Sequence, residues 1–194
     1  MSDFWWALLP VAYLFGTFPS AMIIARANGI DIRDVGSGNP GASNVTRVLG
    51  WRRGGWVFVF DTAKGALAAG LGLVVADRYA GYALGAAAVV GHVFPLWQKF
   101  RGGKGVATGG GVIAVMSPLV FVVLVALWFI ISQATKKASV ASIVIVSLLP
   151  LGVFIAQRDV WEVGATIAIC VLVMARHLGN IRRLLSRREH AISE

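Results

Sequence analysis

Charge is what this chain has least of. Only 14% of its 194 residues are Asp, Glu, Lys or Arg, where a soluble domain carries about a quarter. Acids are scarcer still, nine against eighteen Lys and Arg, and they are scattered. A transferase that activates its substrate through a divalent metal needs clustered carboxylates, so that chemistry is disfavoured and no metal or cofactor is expected. The one cysteine, Cys170, lies inside an apolar run, which excludes a disulfide framework and a cysteine metal site.

What is abundant is apolar surface, 57% of the residues. It falls in blocks such as 71–75, 112–115 and 119–131, without amphipathic spacing. Helices apolar on every face belong in a bilayer, so the fold class is an all-α integral membrane protein. The first run, 4–25, follows Asp3 and lacks the basic start of a signal peptide, so it is read as a retained first span.

Crossing about 30 Å of hydrocarbon takes roughly 20 residues. Hydropathy offers 4–25, 56–76, 79–96, 106–131, 140–156 and 160–174. Six crossings would set Arg182, Arg183, Arg187 and Arg188 opposite Arg47, Arg52 and Arg53, against the positive-inside rule. Splitting 106–131 at Ser117-Pro118 removes the conflict, since proline disfavours helix in the residue before it. The first half, 105–116, would rise about 18 Å, a short or re-entrant segment. About seven transmembrane segments result, with the N-terminus outside and the C-terminus cytoplasmic. Only Arg78 and Arg158 then face out, beside Asp77 and Asp159. Residues 1–194 form one domain, with no linker and no repeat.

Four polar segments, 28–55, 97–105, 133–139 and 176–194, share the cytoplasmic side. Their basic residues form no exposed stripe, so nucleic acid is not the expected partner; anionic lipid or an anionic substrate is. In the first loop Gly36, Gly38 and Gly41 allow tight turns, whose backbone N–H groups form anion-binding nests. Ser37, Asn39, Ser43, Asn44 and Thr46 add neutral donors there, and Arg47 a fixed cation.

The stretch "KFRGGKGVATGG", 99–110, looks like a nucleotide loop but is not one. Gln98 stands where the first Walker glycine belongs, and Gly105 follows Lys104 where Ser or Thr is required. A more general phosphate cradle survives: Gly102 and Gly103 free the backbone, Lys104 brings charge, and a helix start near Val106 aims N–H groups at an anion. Thr108, in the first turn, adds a hydroxyl. Ser139 and Ser142 open another span, where capping and phosphate contact are equally good readings. His177 and Asn180 are three apart and share a helical face, as a base or donor pair would. Asp61 and Lys64, three apart within a span, are read as a buried ion pair supporting the site. His92 is expected to order the glycine-lysine loop.

Together, "GSGNPGASNVTR" (36–47), "GHVFPLWQKFRGGKGVAT" (91–108) and "RHLGNIRR" (176–183) resemble the three cytoplasmic motifs of the bacterial membrane glycerol-3-phosphate acyltransferases that use acyl phosphate as donor. "DTAKG" (61–65) and "SVASI" (139–143) match as well, and the likeness covers nearly the whole chain. One departure is Ser43, where the family commonly has threonine. The resemblance implies acyl transfer from acyl phosphate to the 1-hydroxyl of glycerol 3-phosphate, giving lysophosphatidic acid and phosphate. It implies that Ser37, Arg47, Lys104, His177 and Asn180 surround glycerol 3-phosphate and the phosphates, with Ser142 beside the donor phosphate. Lys104, His177 and Asn180 are the expected catalytic residues. Ser37, Gly38, Asn39, Asn44, Arg47, Gly102, Gly103, Thr108 and Ser142 are expected to bind, supported by Asp61, Lys64 and His92. A bacterial inner membrane, membrane lipid as surroundings, no obligatory protein partner and a cytoplasmic active site go with that likeness. The competing class is a transporter of a phosphate ester or other anion, which also needs broken, cationic helices. Its weakness is the near absence of polar residues on the outer side. The His-four-residues-Asp motif of other glycerolipid acyltransferases is missing, since Trp97 and Arg182 stand five after His92 and His177.

Overall fold

The computed structural model describes residues 4–157 and 159–192. Asp3 and Arg158, to which the sequence assigned sides of the membrane, lie outside the described residues. The α-helices are α1 (Leu9–Gly16), α2 (Ser20–Arg26), α3 (Ala42–Leu49), α4 (Trp51–Val75), α5 (Arg78–Val93), α6 (Val106–Met116), α7 (Pro118–Thr135), α8 (Ala138–Gln157), α9 (Val160–Ala175) and α10 (Leu178–Leu185). Short 3₁₀ turns occupy Trp5–Leu8 and Leu96–Gln98. Among the described residues, five stretches are long and apolar enough to cross a bilayer: Trp5–Arg26, Trp51–Val75, Arg78–Gln98, Pro118–Thr135 and Ala138–Ala156. Helices α9 and α10 make a sixth only as a pair bent by 55°.

The chain does break at Ser117, the N-cap of α7, with Pro118 in its first turn. That leaves α6 as an 11-residue apolar helix, about 17 Å long and too short to cross alone. A helix of that length survives because α4, α5 and α7 pack around it, α4 most closely. Gly111 of α6 lies against the backbone of Thr62, and Gly65 of α4 against the carbonyl of Thr108. A Cβ at either position would run into backbone, so small residues allow the two axes their close approach.

The first span is not the continuous helix its hydropathy suggests. Thr17, Phe18 and Pro19 separate α1 from α2, because Pro19 has no N–H to continue the ladder. Carbonyls at such a break need donors at depth, and the Phe18 oxygen accepts from the Ser20 N–H and from Lys64 Nζ, each at 3.1 Å. The same ammonium pairs with Asp61 at 2.9 Å, and both side chains are buried. Ser20 donates to that carboxylate at 2.6 Å. The ion pair expected from the sequence therefore fastens a broken helix to α4.

Two polar segments contain helices that hydropathy cannot detect. Within 28–55 lie α3 and the first turn of α4, and within 176–194 lies α10. Both α3 and α10 are amphipathic, so their mean hydropathy is low although one face is buried.

At the far end, the neighbours Asp77 and Arg78 take separate partners. Asp77 instead caps α5, accepting from the N–H of Ala80 at 3.0 Å. The Arg78 guanidinium forks onto Glu162 at 2.5 and 2.7 Å and donates to the Met116 carbonyl at 2.8 Å. Tyr82 adds its hydroxyl to Glu162 at 3.1 Å. A planar fork held by three helices, α5, α6 and α9, outcompetes a flexible neighbour in sequence.

Between the ends, Val89, Val112, Ile113, Met116, Val146, Val153 and Val173 form the main apolar cluster, drawn from α5, α6, α8 and α9. Outer positions such as Leu67, Val74, Leu119 and Ile130 are well exposed, as lipid-facing side chains are. Helix α7 buries little beyond Val120 and Ser132, so it stands at the periphery and packs on α8.

Candidate active site

All four polar segments meet at one end of the bundle, around a cavity of about 230 Å³. Ser37, Asn39 and Arg47 line it from the first loop and α3, Lys104 from the second, Ser139 and Ser142 from the start of α8, and His177 and Asn180 from the α9–α10 bend. Deeper in, the walls are apolar: Ile113, Phe121, Val125, Ile145, Leu149 and Ile169. One space thus has a cationic, hydrogen-bonding mouth and a hydrophobic interior between helices.

The mouth is held by a relay. Lys104 Nζ donates to Asn180 Oδ1 at 2.5 Å, and Asn180 Nδ2 donates to Glu189 Oε1 at 2.6 Å. Arg183 Nε donates to the other carboxylate oxygen at 2.9 Å. Burial pushes the Lys104 ammonium down to about 8, Glu189 opposing the change and Arg183, Arg47 and Arg176 adding to it. Burial alone would push the Glu189 carboxyl up. Hydrogen bonds from Asn180 and the neighbouring Arg183 outweigh it and hold the group below its ordinary value. His177, beyond the last residue of α9, is 1% exposed. Its Nδ1 faces the Val173 carbonyl at 2.8 Å; a carbonyl only accepts, so Nδ1 carries the hydrogen and Nε2 is left as the acceptor in the neutral ring. Burial and the charge of Lys104 lower the imidazole from its ordinary value, which favours that neutral form.

Other expected residues do different work. Asn44 is absent from the cavity wall; it is 1% exposed and ties the first loop together. Its amide donates to the Ile32 and Val35 carbonyls, both at 3.1 Å, and its oxygen accepts from the Ser37 N–H at 2.9 Å and from Arg47 Nη1 at 3.0 Å. It presents Ser37 and Arg47 to the cavity without lining it. Gly38 is also outside the lining and has φ of +68°, a turn position. Gly102 and Gly103 do not free backbone for a ligand. Their N–H groups bond the Val93 and His92 carbonyls at 3.0 and 3.1 Å, and a Cβ on either would strike His92. The glycines let the loop fold flat on the end of α5, against His92, which delivers Lys104. Thr108 is fully buried with its hydroxyl unpartnered, away from the cavity.

Ser142 lines the cavity and accepts from Trp128 Nε1 at 3.0 Å. Its own hydroxyl hydrogen is thereby left for another acceptor. Asp61 and His92 reach the cavity wall from α4 and α5, and Lys64 lies behind them. Sequence reading missed Glu189 and Trp128, which also line the cavity. For Glu189 the available signal was an acid following a run of arginines; for Trp128 there was none, because tryptophan near a span end reads as an interfacial anchor. Among the described residues no group of His, Cys, Asp and Glu is placed to hold a metal ion.

Several known proteins are similar to this chain over most of its length. The family model described as glycerol-3-phosphate acyltransferase matches residues 6–187. The glycerol-3-phosphate acyltransferase of Bacillus subtilis (strain 168) is 39% identical over 183 residues, 94% of each chain. That of Geobacter sulfurreducens is 41% identical over 183 residues, covering 91% of this chain and 92% of the relative. The crystal structure of PlsY (YgiH), an integral membrane glycerol 3-phosphate acyltransferase, in its glycerol 3-phosphate form superposes with a TM-score of 0.91 at 39% identity, over 96% of this chain and 94% of that one. Its lysophosphatidic acid form gives 0.89 at 38% identity, with the same coverage. With a family model spanning nearly the whole length and a solved relative of the same helical arrangement, this integral membrane chain belongs to the glycerol-3-phosphate acyltransferase family.

Proposed function

We propose that the protein, acting as a single domain, acylates the 1-hydroxyl of glycerol 3-phosphate with an acyl phosphate as donor, releasing lysophosphatidic acid and inorganic phosphate. The site would face the cytoplasm of a bacterial cell, from the inner membrane. Acylation of glycerol 3-phosphate rests on the family and on the two forms of the solved relative. One observation carries the rest: a single cavity joins a mouth bearing Arg47, Lys104, His177 and Asn180 to an apolar interior. Two phosphates need cations and N–H donors on one membrane face, and an acyl tail needs the dry space beyond. Clustering of the basic loops at this end supports the cytoplasmic orientation.

In the reaction the substrate hydroxyl oxygen bonds the donor's carbonyl carbon and the carbon–oxygen bond to phosphate breaks. Phosphate departs with that electron pair, and the hydroxyl proton passes to a base. Nε2 of His177 and the donor's own phosphate are the two acceptors the site offers. An acyl phosphate is already activated, so the protein's main contribution is alignment. Arg47 and Asn180 would hold the acceptor phosphate, and Ser142 the donor phosphate. Lys104 and the N-terminus of α6, whose Gly105, Val106 and Ala107 line the cavity, would stabilise the charge that grows during attack. The transporter reading yields to membership of an acyltransferase family.

The test is phosphate release by purified protein in lipid, given acyl phosphate with and without glycerol 3-phosphate, with acyl-CoA as the alternative donor. Phosphate release that requires both substrates and yields lysophosphatidic acid is expected. Acylation from acyl-CoA alone would refute the donor assignment.

A further inference from the structure

Glu189 lies beyond residues 6–187, the stretch matched by the family model, and no motif includes it. It is nonetheless the carboxylate at the centre of the mouth. Its side chain is 4% exposed although Arg183, its ion-pair partner, is 36% exposed. The chain is steered back over the site by Arg187, which has φ of +58°. It is pinned there by Arg47 Nε, which donates to the Ala191 carbonyl at 2.5 Å, and by the Ile192 N–H on the Lys136 carbonyl at 2.8 Å. An ordinary surface ion pair would be exposed and weak; this one is enclosed and bonded at both oxygens.

We infer that Glu189 is a positioning residue of the phosphate site, fixing the Asn180 amide with its oxygen toward Lys104 and serving as the counter-charge of the Lys104 ammonium. The inference rests on the proposed phosphate-binding role of the mouth. The amide has two orientations, and both neighbours select the same one: the Lys104 ammonium, a pure donor, requires Oδ1, and the Glu189 carboxylate, a pure acceptor, requires Nδ2 and holds it at 2.6 Å. The charged groups around Lys104 are otherwise cationic: Arg47 from α3, Arg176 at the α9–α10 bend and Arg183 from α10. His177 stands beside it, and Asp61 and His92 line the same cavity from α4 and α5. Without Glu189, those arginines would drive the proton off Lys104 at lower pH, and the site would lose its cation when a phosphate arrives.

The experiment is calorimetric binding of glycerol 3-phosphate, and of inorganic phosphate, to the full protein in micelles from about pH 6 to pH 9. Wild type is compared with Glu189→Gln and Glu189→Asp. Wild-type affinity should fall as pH rises through about 8, the value to which burial brings Lys104. In Glu189→Gln the fall should begin about one unit lower, the effect of removing one close opposite charge, so Kd at pH 8 should be roughly fivefold weaker than wild type. Below about pH 6.5, where Lys104 is protonated in both, the ratio of Kd values should shrink. Glu189→Asp keeps the charge and should restore the wild-type profile. A ratio independent of pH, or tighter binding by Glu189→Gln at every pH as for removal of a competing anion, would overturn the inference. Phosphate binding with this profile but no acyl transfer would overturn the proposed reaction alone; absence of phosphate binding by wild type would overturn both.

Discussion

Removing one charge of the buried Asp61–Lys64 pair should damage the protein far more than removing both. The two groups lie 2.9 Å apart, 2% and 3% exposed. In Asp61→Asn the Lys64 ammonium keeps the Phe18 carbonyl, its 3.1 Å partner, and a neutral amide oxygen, but has no counter-charge. Breaking a buried pair in this way costs about 3–5 kcal/mol, because an uncompensated charge stays in low dielectric. Lys64→Met strands the carboxylate instead, with only the Ser20 hydroxyl, bonded at 2.6 Å, and His92 Nδ1, 3.7 Å away. The loss should be similar. In the double variant no charge is stranded, and the remaining defect is one of the two hydrogen bonds to the Phe18 carbonyl, which keeps the Ser20 N–H at 3.1 Å, a loss of about 1 kcal/mol. The singles would then sum to roughly 6–10 kcal/mol against about 1 for the double, a coupling of at least about 5 kcal/mol. A double-mutant cycle by reversible unfolding in mixed micelles measures it. Additive singles, or single losses below about 1 kcal/mol, would refute the assignment of this pair as the fastening of the broken first span.

Lys104→Ala and His177→Ala should each abolish acyl transfer at saturating substrates while the thermal unfolding of the protein is retained; near-normal turnover in either would remove that residue from the mechanism. Arg47→Lys should weaken glycerol 3-phosphate binding about tenfold, close to 1.4 kcal/mol, because a point charge cannot keep the Ala191 and Asn44 bonds while facing a phosphate; steady-state KM reads this. In wild type the pH dependence has a defined sign. Burial lowers Lys104 to about 8 in the free protein, and a bound phosphate dianion raises it again. Affinity is therefore full below about 8 and is lost as pH rises through that value, by about tenfold per unit. On the acid side it falls below about pH 6, where the phosphate ester takes up its second proton. Titration calorimetry across this range checks both limbs.

Relatively little of this protein needed its tertiary structure to be known. Membrane residence follows from blocks of apolar residues that no soluble fold accommodates, and the break at Ser117-Pro118 follows from proline's backbone chemistry, both local properties. Arg47, Lys104, His177 and Asn180 were recognisable because charged and amide groups beside spans are unusual and carry their own signal. Helices α3 and α10 were not legible, since an amphipathic surface helix has no hydropathy signature, and the break before α2 was hidden inside a run read only for its apolarity. Tertiary structure alone decided which side chains touch. It turned Asn44 inward as a clamp, laid Gly102 and Gly103 against His92, gave Arg78 Glu162 as its partner, and brought Glu189 onto Asn180. Composition and local spacing act through residues a few positions apart. A partner 84 positions away in the chain, as Glu162 is from Arg78, is chosen by helix packing, and packing is a property of the whole chain.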